Sequence, residues 1–377
     1  MKVAVNTARV MVGALYIFSG LVKAIDPLGL AYKMQEFFEK WAESSFLKGL
    51  MHWLDQYAKG FSIFMITLEI ALGLALLMGF RSKLTTRLLL LLTLFFTFLT
   101  SYVLFSGKIK ACGCFGDCIP LTPVQTFTKD IILLLLILLL VIGHKHIKPL
   151  LGKMANGGVV LAGIILALLL QWWVLKHLPL VDCLPYKKGN NIAELRKMPA
   201  DAVPDKYEYA FIYTNNGVDK EFTDMKNLPD SPWVFKDRKQ VLVAKGKNNV
   251  PVISDLMLGT PTGTDTTDAI LGQSGKYYLL FIKDMETYSV QGDADIAMAK
   301  KLNQQKIPFF IVSSQPRKVA ERFGKLTDNG VALNIPILTC DAVVLKTAAR
   351  CNPVLYRMEG PVVKGKWSGL DIPADNY

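Results

Sequence analysis

Three cysteines crowd into one short run, Cys112-Gly113-Cys114-Phe115-Gly116-Asp117-Cys118, and a fourth, Cys183, follows a long apolar stretch further on. Thiols spaced like this suit disulfide exchange, in which a thiolate attacks a disulfide sulfur. A bond closed within Cys-x-Cys is strained and readily reduced, and Cys118 could resolve it. Two other uses of the same sulfurs stay open. They could form static disulfides that staple the loop to the region of Cys183. They could also hold zinc, although a C-x-C-x3-C run with one distant cysteine fits no familiar zinc spacing. Cys340 and Cys351 lie near the C-terminus, as a structural bond or as an exchanging pair. Connectivity cannot be deduced from spacing alone.

The elements that position these sulfurs are membrane spans. Mean hydropathy is +0.31, and the apolar residues concentrate in the first half of the 377-residue chain. A bilayer core takes about 20 apolar residues per helix. Five segments meet this: Asn6 to Ile25, Phe61 to Phe80, Leu84 to Phe105, Val124 to Gly143 and Gly157 to Leu175. The first contains Ser19 and Gly20 and has no small-x-small cleavage site before Lys23, so a retained helix is expected rather than a cleaved signal peptide.

Arg81, Lys83 and Arg87 follow the second span, and Lys145, Lys148 and Lys153 follow the fourth, without acids. Basic connectors stay in the cytoplasm, which puts the N-terminus inside and every cysteine outside, where disulfides persist. Part of the net charge of +12 is thus a topology signal. No basic stripe with interleaved aromatics occurs, so nucleic acid is set aside as a partner. Leu30 to Trp41, in the first outer loop, has the pattern of an amphipathic helix lying at the interface or capping the bundle. Glu69 and Lys23 are ionisable groups in or beside spans. Such groups are functional candidates by default, unless the two simply pair to fix the bundle. Asp130, opening the fourth span, reads as a helix-terminal dipole partner.

At these residues the chain resembles known families. Gly13-Ala14-Leu15-Tyr16-Ile17-Phe18-Ser19-Gly20-Leu21-Val22-Lys23 with Asp26-Pro27, and Glu69-Ile70-Ala71-Leu72-Gly73-Leu74-Ala75-Leu76-Leu77-Met78-Gly79, are similar to the first two spans of DoxX proteins. Cys112-Gly113-Cys114-Phe115-Gly116 resembles the signature of MauE-type redox-associated membrane proteins. The resemblance covers roughly residues 1–147. It implies a four-helix bundle tied to thiol, sulfur and quinone redox chemistry at a bacterial inner membrane.

Beyond Asp182 the text changes to strands, helices and turns. Tyr277 to Ile282, Ile307 to Val312 and Ile335 to Thr339 read as strands. Ala294 to Gln305, Pro316 to Phe323 and Ala342 to Arg350 read as helices, and Asn352 to Trp367 as a closing hairpin. The succession resembles a thioredoxin-like domain of the peroxiredoxin or TlpA type, with Pro353 in the place of its cis-proline. Where that family carries Cys-x-x-Cys, this chain has Lys283-Asp284-Met285-Glu286-Thr287-Tyr288-Ser289, so an ordinary thioredoxin site is absent.

The expected organisation is therefore an α-helical membrane bundle of about five spans plus an extracytoplasmic α/β thioredoxin-like domain. In detail it is a four-helix bundle over 1–150, a fifth span over 151–180, a β-rich linker module over 181–265 and the thioredoxin-like unit over 266–377. The expected activity is inner-membrane thiol–disulfide exchange or electron conduction acting on periplasmic thiols. Cys112, Cys114 and Cys118 would exchange, helped by Lys108 and Lys110, and Cys183 would relay toward the tail. The electron partner is either a quinone held in the bundle or another thiol protein. No metal is expected. The competing expectation is a non-enzymatic anchor or assembly subunit whose tail binds an envelope protein.

Overall fold

A computed structural model describes residues 1–43, 46–109, 112–223, 228–290, 293–328 and 331–373. Its membrane half opens with α1 (Lys2–Ala24), then α2 (Pro27–Ala42), α3 (Lys48–Gln56), α4 (Ala58–Met78), α5 (Ser82–Ser106), α6 (Pro123–Ile142) and α7 (Lys153–Lys176). The helices α1, α4, α5, α6 and α7 are long and apolar enough to cross a membrane. Exposed leucines and phenylalanines such as Leu91, Phe98, Leu135 and Leu166 line their outer faces, as lipid-facing helices require.

Local signals set the helix ends. Thr122 caps α6 in a reciprocal box with Gln125, and Pro123 occupies the first turn, where its missing N–H costs nothing. Chain α4 stops at Gly79, whose φ of +67° is a left-handed cap that favours glycine. Arg9 then satisfies orphan carbonyls there, donating to Leu76 O at 2.9 Å, Leu77 O at 2.5 Å and Lys148 O at 2.9 Å. One guanidinium thus ties α1, the end of α4 and the α6–α7 connector together at one end of the bundle. A Cβ on Gly73 would lie 2.9 Å from Gly13 O; small residues let α1 and α4 approach closely, as in other membrane helix pairs.

The expected amphipathic segment is α2, started by Asp26, whose carboxylate accepts from Gly29 N. It buries Ala31, Met34 and Phe37 against the other end of the bundle and offers Tyr32 and Gln35 to the tail, where Lys283 Nζ lies 3.3 Å from Tyr32 Oη and Lys346 Nζ 3.1 Å from Gln35 Oε1.

The tail contains α8 (Ile192–Leu195), β1 (Lys206–Asn215), β2 (Val218–Phe222), β3 (Val234–Ala244), α9 (Thr267–Leu271), β4 (Lys276–Ile282), α10 (Ala294–Gln304), β5 (Phe309–Ser313), α11 (Pro316–Phe323), β6 (Thr327–Asp328), β7 (Val331–Ala332), β8 (Ile337–Thr339), α12 (Ala342–Ala348), β9 (Val354–Glu359) and β10 (Val362–Ser368). Its main sheet has the order β10-β9-β4-β5-β8. Strands β4, β5 and β8 are parallel, and β9 and β10 run antiparallel to their neighbours. Tyr277, Leu279 and Phe281 face one core, and Tyr278, Leu280 and Ile282 the other. That period of two, buried on both sides, is what a central strand covered by helices requires. The Asn352–Pro353 peptide is cis and leads into β9. These features are consistent with the thioredoxin-like arrangement expected.

The β-rich module is narrower than 181–265. Strands β1 to β3 form a separate sheet, its first hairpin turning through Asn216 and Gly217, both at positive φ, as a two-residue hairpin demands. The flanking segments instead join the α/β unit. Tyr186, Ile192, Ile253, Leu256 and Leu258 are buried in its core, and Gly259 bonds Thr339 in both directions. Their apolar residues are too scattered for a period to betray them as core.

Candidate functional site

The loop from α5 to α6 returns to the bundle at the end where α2 and the tail lie. Cys112 sits under Phe37, Leu99, Val103 and Ile109. Gly113 and Gly116 take positive φ, which lets the chain fold back so that Cys112 and Cys114 come together. Their sulfurs are 3.5 Å apart and both are free thiols.

The two thiols differ in acidity. The hydrogen bond between the two sulfurs holds Cys114 below the ordinary thiol range against the cost of burial, and Lys129 adds to the effect. The same hydrogen bond, together with burial, pushes Cys112 well up. Cys114 is thus the more acidic thiol of the pair, the one that more readily gives the thiolate that attacks disulfides. Lys108 does not serve as expected: it faces Glu43 at 3.7 Å. Lys110 lies outside the described residues.

Beneath Cys114 is a small polar cavity of about 20 Å³, lined among others by Tyr16, Ser19, Lys23, Glu69, Lys129 and Asp130. Lys23 and Glu69 pair at 2.5 Å, 3% and 1% exposed. The ion-pair alternative for these two residues is therefore the one the structure displays, although both also line the cavity. Ser19 joins pair and loop, with its hydroxyl 3.0 Å from Glu69 Oε2 and 3.2 Å from Cys114 O. Asp130, expected as a dipole partner, is buried and accepts from Thr100 at 3.0 Å and Lys129 at 2.8 Å. Lys129 was missed. Its signal was there, because a lysine inside an otherwise apolar span asks for a reason.

Cys118, expected to exchange with Cys112 and Cys114, and Cys183, expected to relay, are instead joined to each other in a disulfide, the loop-to-tail staple that the spacing left open. It ties the cysteine loop to the start of the tail, since α7 brings Cys183 back to the loop's level. Cys340 and Cys351 also differ from expectation. Both are free and buried, unbonded to each other, because Cys340 ends the parallel edge strand while Cys351 packs against the backbone at Val174 and His177. Burial pushes both thiols up to about 12, where neither is a useful nucleophile. At the position of the absent Cys-x-x-Cys, Lys283 is held by Asn352 Oδ1 through its backbone N–H, at 3.0 Å. Burial lowers its ammonium to about 8. Among the described residues no group of three or more His, Cys, Asp or Glu is placed to hold a metal ion.

The tail is fastened onto this end of the bundle. Arg350 donates to Asp26 at 2.7 Å and to Asp117 at 2.6 Å, and Lys366 to Asp182 at 2.7 Å. No spacing pattern pointed to Arg350.

Residues 1–143 match the family of the methylamine utilisation protein MauE, so the bundle is MauE-like; of the two family names suggested by the spans, DoxX is the looser fit. Residues 207–245, covering the β1–β3 sheet, match a domain of unknown function, DUF8463. The chain is 30% identical over 190 residues to protein TlpB of Flavobacterium psychrophilum, which takes in 49% of this chain and 46% of that protein. The match thus spans about half the length of the curated relative. No solved structure matches the chain.

Proposed function

We propose that this MauE-like membrane protein is a thiol–disulfide oxidoreductase of a bacterial inner membrane that passes electrons between periplasmic thiols and the membrane. The observation that carries the reading is the Cys112/Cys114 pair, two free cysteines with sulfurs 3.5 Å apart, above a cavity in the bundle lined by Lys23, Glu69 and Lys129. Its orientation would be N-terminus inside and tail outside. In support, the basic residues near Gly79 and Lys148 gather at the Arg9 end of the bundle, and the cysteine loop and tail at the other.

The reaction is exchange. The Cys114 thiolate attacks a disulfide sulfur, a mixed disulfide forms, and the neighbouring Cys112 thiol, once deprotonated, displaces the bound sulfur to close Cys112–Cys114. Two electrons leave the pair with the partner, now reduced. In the opposite sense, which a membrane-side electron sink requires, a periplasmic dithiol reduces the Cys112–Cys114 disulfide and leaves as a disulfide, and the reduced pair would give up the same two electrons on the membrane side. Lys129 and Lys23 stabilise the negative sulfur, and Glu69 holds Lys23 in place.

The membrane-side electron partner is proposed to be a quinone. An apolar groove of about 420 Å³ lies between α1 and α6, with Met11, Ile132 and Leu136 along it and Gln125, Thr128 and Lys129 also lining it. Leu15, Lys129 and Leu133 line both this groove and the cavity beneath Cys114. These residues fit the group: Lys129 and Gln125 offer donors to a ring oxygen, and the aliphatic side chains a wall for a prenyl tail. When bound, a quinone supplies a lipid-soluble two-electron sink.

Graded alkylation and mass mapping of the full chain, poised at several redox potentials, tests the function. Cys112 and Cys114 are expected to interconvert between dithiol and disulfide; thiols that stay reduced at every oxidising poise would overturn it.

A second reading, a non-enzymatic anchor with a partner-binding tail, is favoured by the buried, high-lying Cys340 and Cys351. It predicts that Cys112→Ser/Cys114→Ser leaves partner capture by the tail and growth phenotype unchanged.

A further inference from the structure

The Cys118–Cys183 disulfide faces a cleft of about 500 Å³ between α2 and α12, a volume within the range of ordinary ligand sites. Cys183 lines the cleft and Cys118 does not. The walls carry Glu36 and Glu39 from α2, and Lys346 and Arg350 from the tail. Arg350 is committed to Asp26 and Asp117. Lys346 differs: its recorded partners are the neutral Gln35 side chain at 3.1 Å and the Tyr32 ring at 5.3 Å. Among the described residues Lys346 makes no ion pair, and a free cation in the cleft that Cys183 lines favours a thiolate there.

We infer that this cleft is the entry site for an extended peptide segment bearing a pair of reduced cysteines, and that the peptide attacks Cys183. The inference rests on the proposed oxidoreductase function and adds which disulfide meets the external substrate and through which sulfur. The peptide's first thiolate, its proton lost to water, bonds to Cys183 Sγ. The Cys118–Cys183 bond breaks and Cys118 leaves as a thiolate that takes up a proton. The peptide's second thiolate then attacks its own bridged sulfur, frees Cys183 and closes the peptide disulfide. The peptide is oxidised by two electrons and the Cys118/Cys183 pair is reduced by two. Walls drawn from both the bundle and the tail explain why the tail is fastened down: without it the cleft has one side.

The test uses the full chain in lipid nanodiscs, with a synthetic unstructured peptide carrying two reduced cysteines and, separately, dithiothreitol. Val343, 62% exposed and lining the cleft, is replaced by tryptophan to fill it. Val343→Trp is expected to slow reduction of Cys118–Cys183 by the peptide roughly tenfold or more, because access controls exchange, while leaving the dithiothreitol rate near that of the unaltered chain. Lys346→Gln, a smaller change, should slow the peptide and move its rate profile to higher pH. In Cys118→Ser chains the peptide, activated as a mixed disulfide, should label Cys183 faster than it labels Cys118 in Cys183→Ser chains. Equal peptide rates with and without the tryptophan, or faster labelling of Cys118, would sink the cleft while leaving the oxidoreductase intact. Failure of Cys112 and Cys114 to cycle with potential would sink the oxidoreductase instead.

Discussion

Arg350 and Asp117 are 233 positions apart in sequence and 2.6 Å apart in space. The arginine belongs to the tail, and the aspartate adjoins Cys118 in the loop that carries the thiol pair. Docking of the tail and placement of the cysteine loop are therefore one interaction, 6% exposed on the arginine side.

Replacing Arg350 by Gln leaves Asp26 and Asp117 without their shared cation. Charge-assisted hydrogen bonds contribute about 1.5–3 kcal/mol each when lost, and the partial exposure of Asp117 places its share at the lower end. Hydrogen exchange should accelerate in α2 and α12 by roughly tenfold or more. Unchanged protection in both helices would show that other contacts hold the tail.

The Lys23–Glu69 pair separates stability from chemistry. Glu69→Leu strands a buried ammonium and should cost about 3–5 kcal/mol, whereas Lys23→Met/Glu69→Leu should recover most of it. Thermal unfolding in detergent measures both. If the double variant regains stability but its Cys112/Cys114 pair no longer cycles, the pair does more than fix the bundle.

Alkylation of Cys114 by iodoacetamide reports its thiolate fraction, which rises with pH through the thiol's pKa. Because Cys114 is held low, its rate should be high at pH values where an ordinary thiol is still protonated. Lys129→Gln removes a neighbouring cation and should move the profile to higher pH. Cys112, held high, should lag behind at every pH below about 9.

Cys340 and Cys351 should resist the same reagent in the folded chain and react after denaturation, since burial lifts both to about 12. A Cys340–Cys351 disulfide in peptide maps of the native protein would contradict the fold described for this edge.

Lys283 has its ammonium lowered to about 8 by burial, against about 10.4 in an unfolded chain. Below pH 8 the lysine is charged in both states, and the folded state bears the full penalty, about 3 kcal/mol. Between those two values the unfolded chain binds more protons, so stability rises with pH. Lys283→Met should therefore raise stability at pH 7, less the hydrogen bonds lost to Tyr32 and Arg350 O, and its advantage should shrink across that window. Thermal melts of the two chains from pH 7 to 10 check this.

Much of the architecture was legible because it follows from local periodicity. Apolar runs of bilayer length marked the spans. Alternating and helical spacing marked β4, α10 and α11, and Pro353 was placed from its position in that order. The site was only half legible. Cys112 and Cys114 announced themselves by spacing. Lys129 could have been suspected as an ionisable group inside an apolar span, whereas Arg350 and the inward-packed flanks of the β1–β3 sheet left no local trace.

By itself the sequence determined which segments are long and apolar enough to cross a membrane, which connectors carry the cations, and which thiols are close by chain connectivity. Only the tertiary structure decided that Cys118 bonds Cys183, that Cys340 and Cys351 stay apart, and which cations face Cys114. Hydropathy and spacing act over a few residues, so they survive in the linear text. A disulfide partner or a lowered thiol depends on distances of a few ångströms between segments far apart in the chain, and those exist only once the helices and the tail have packed.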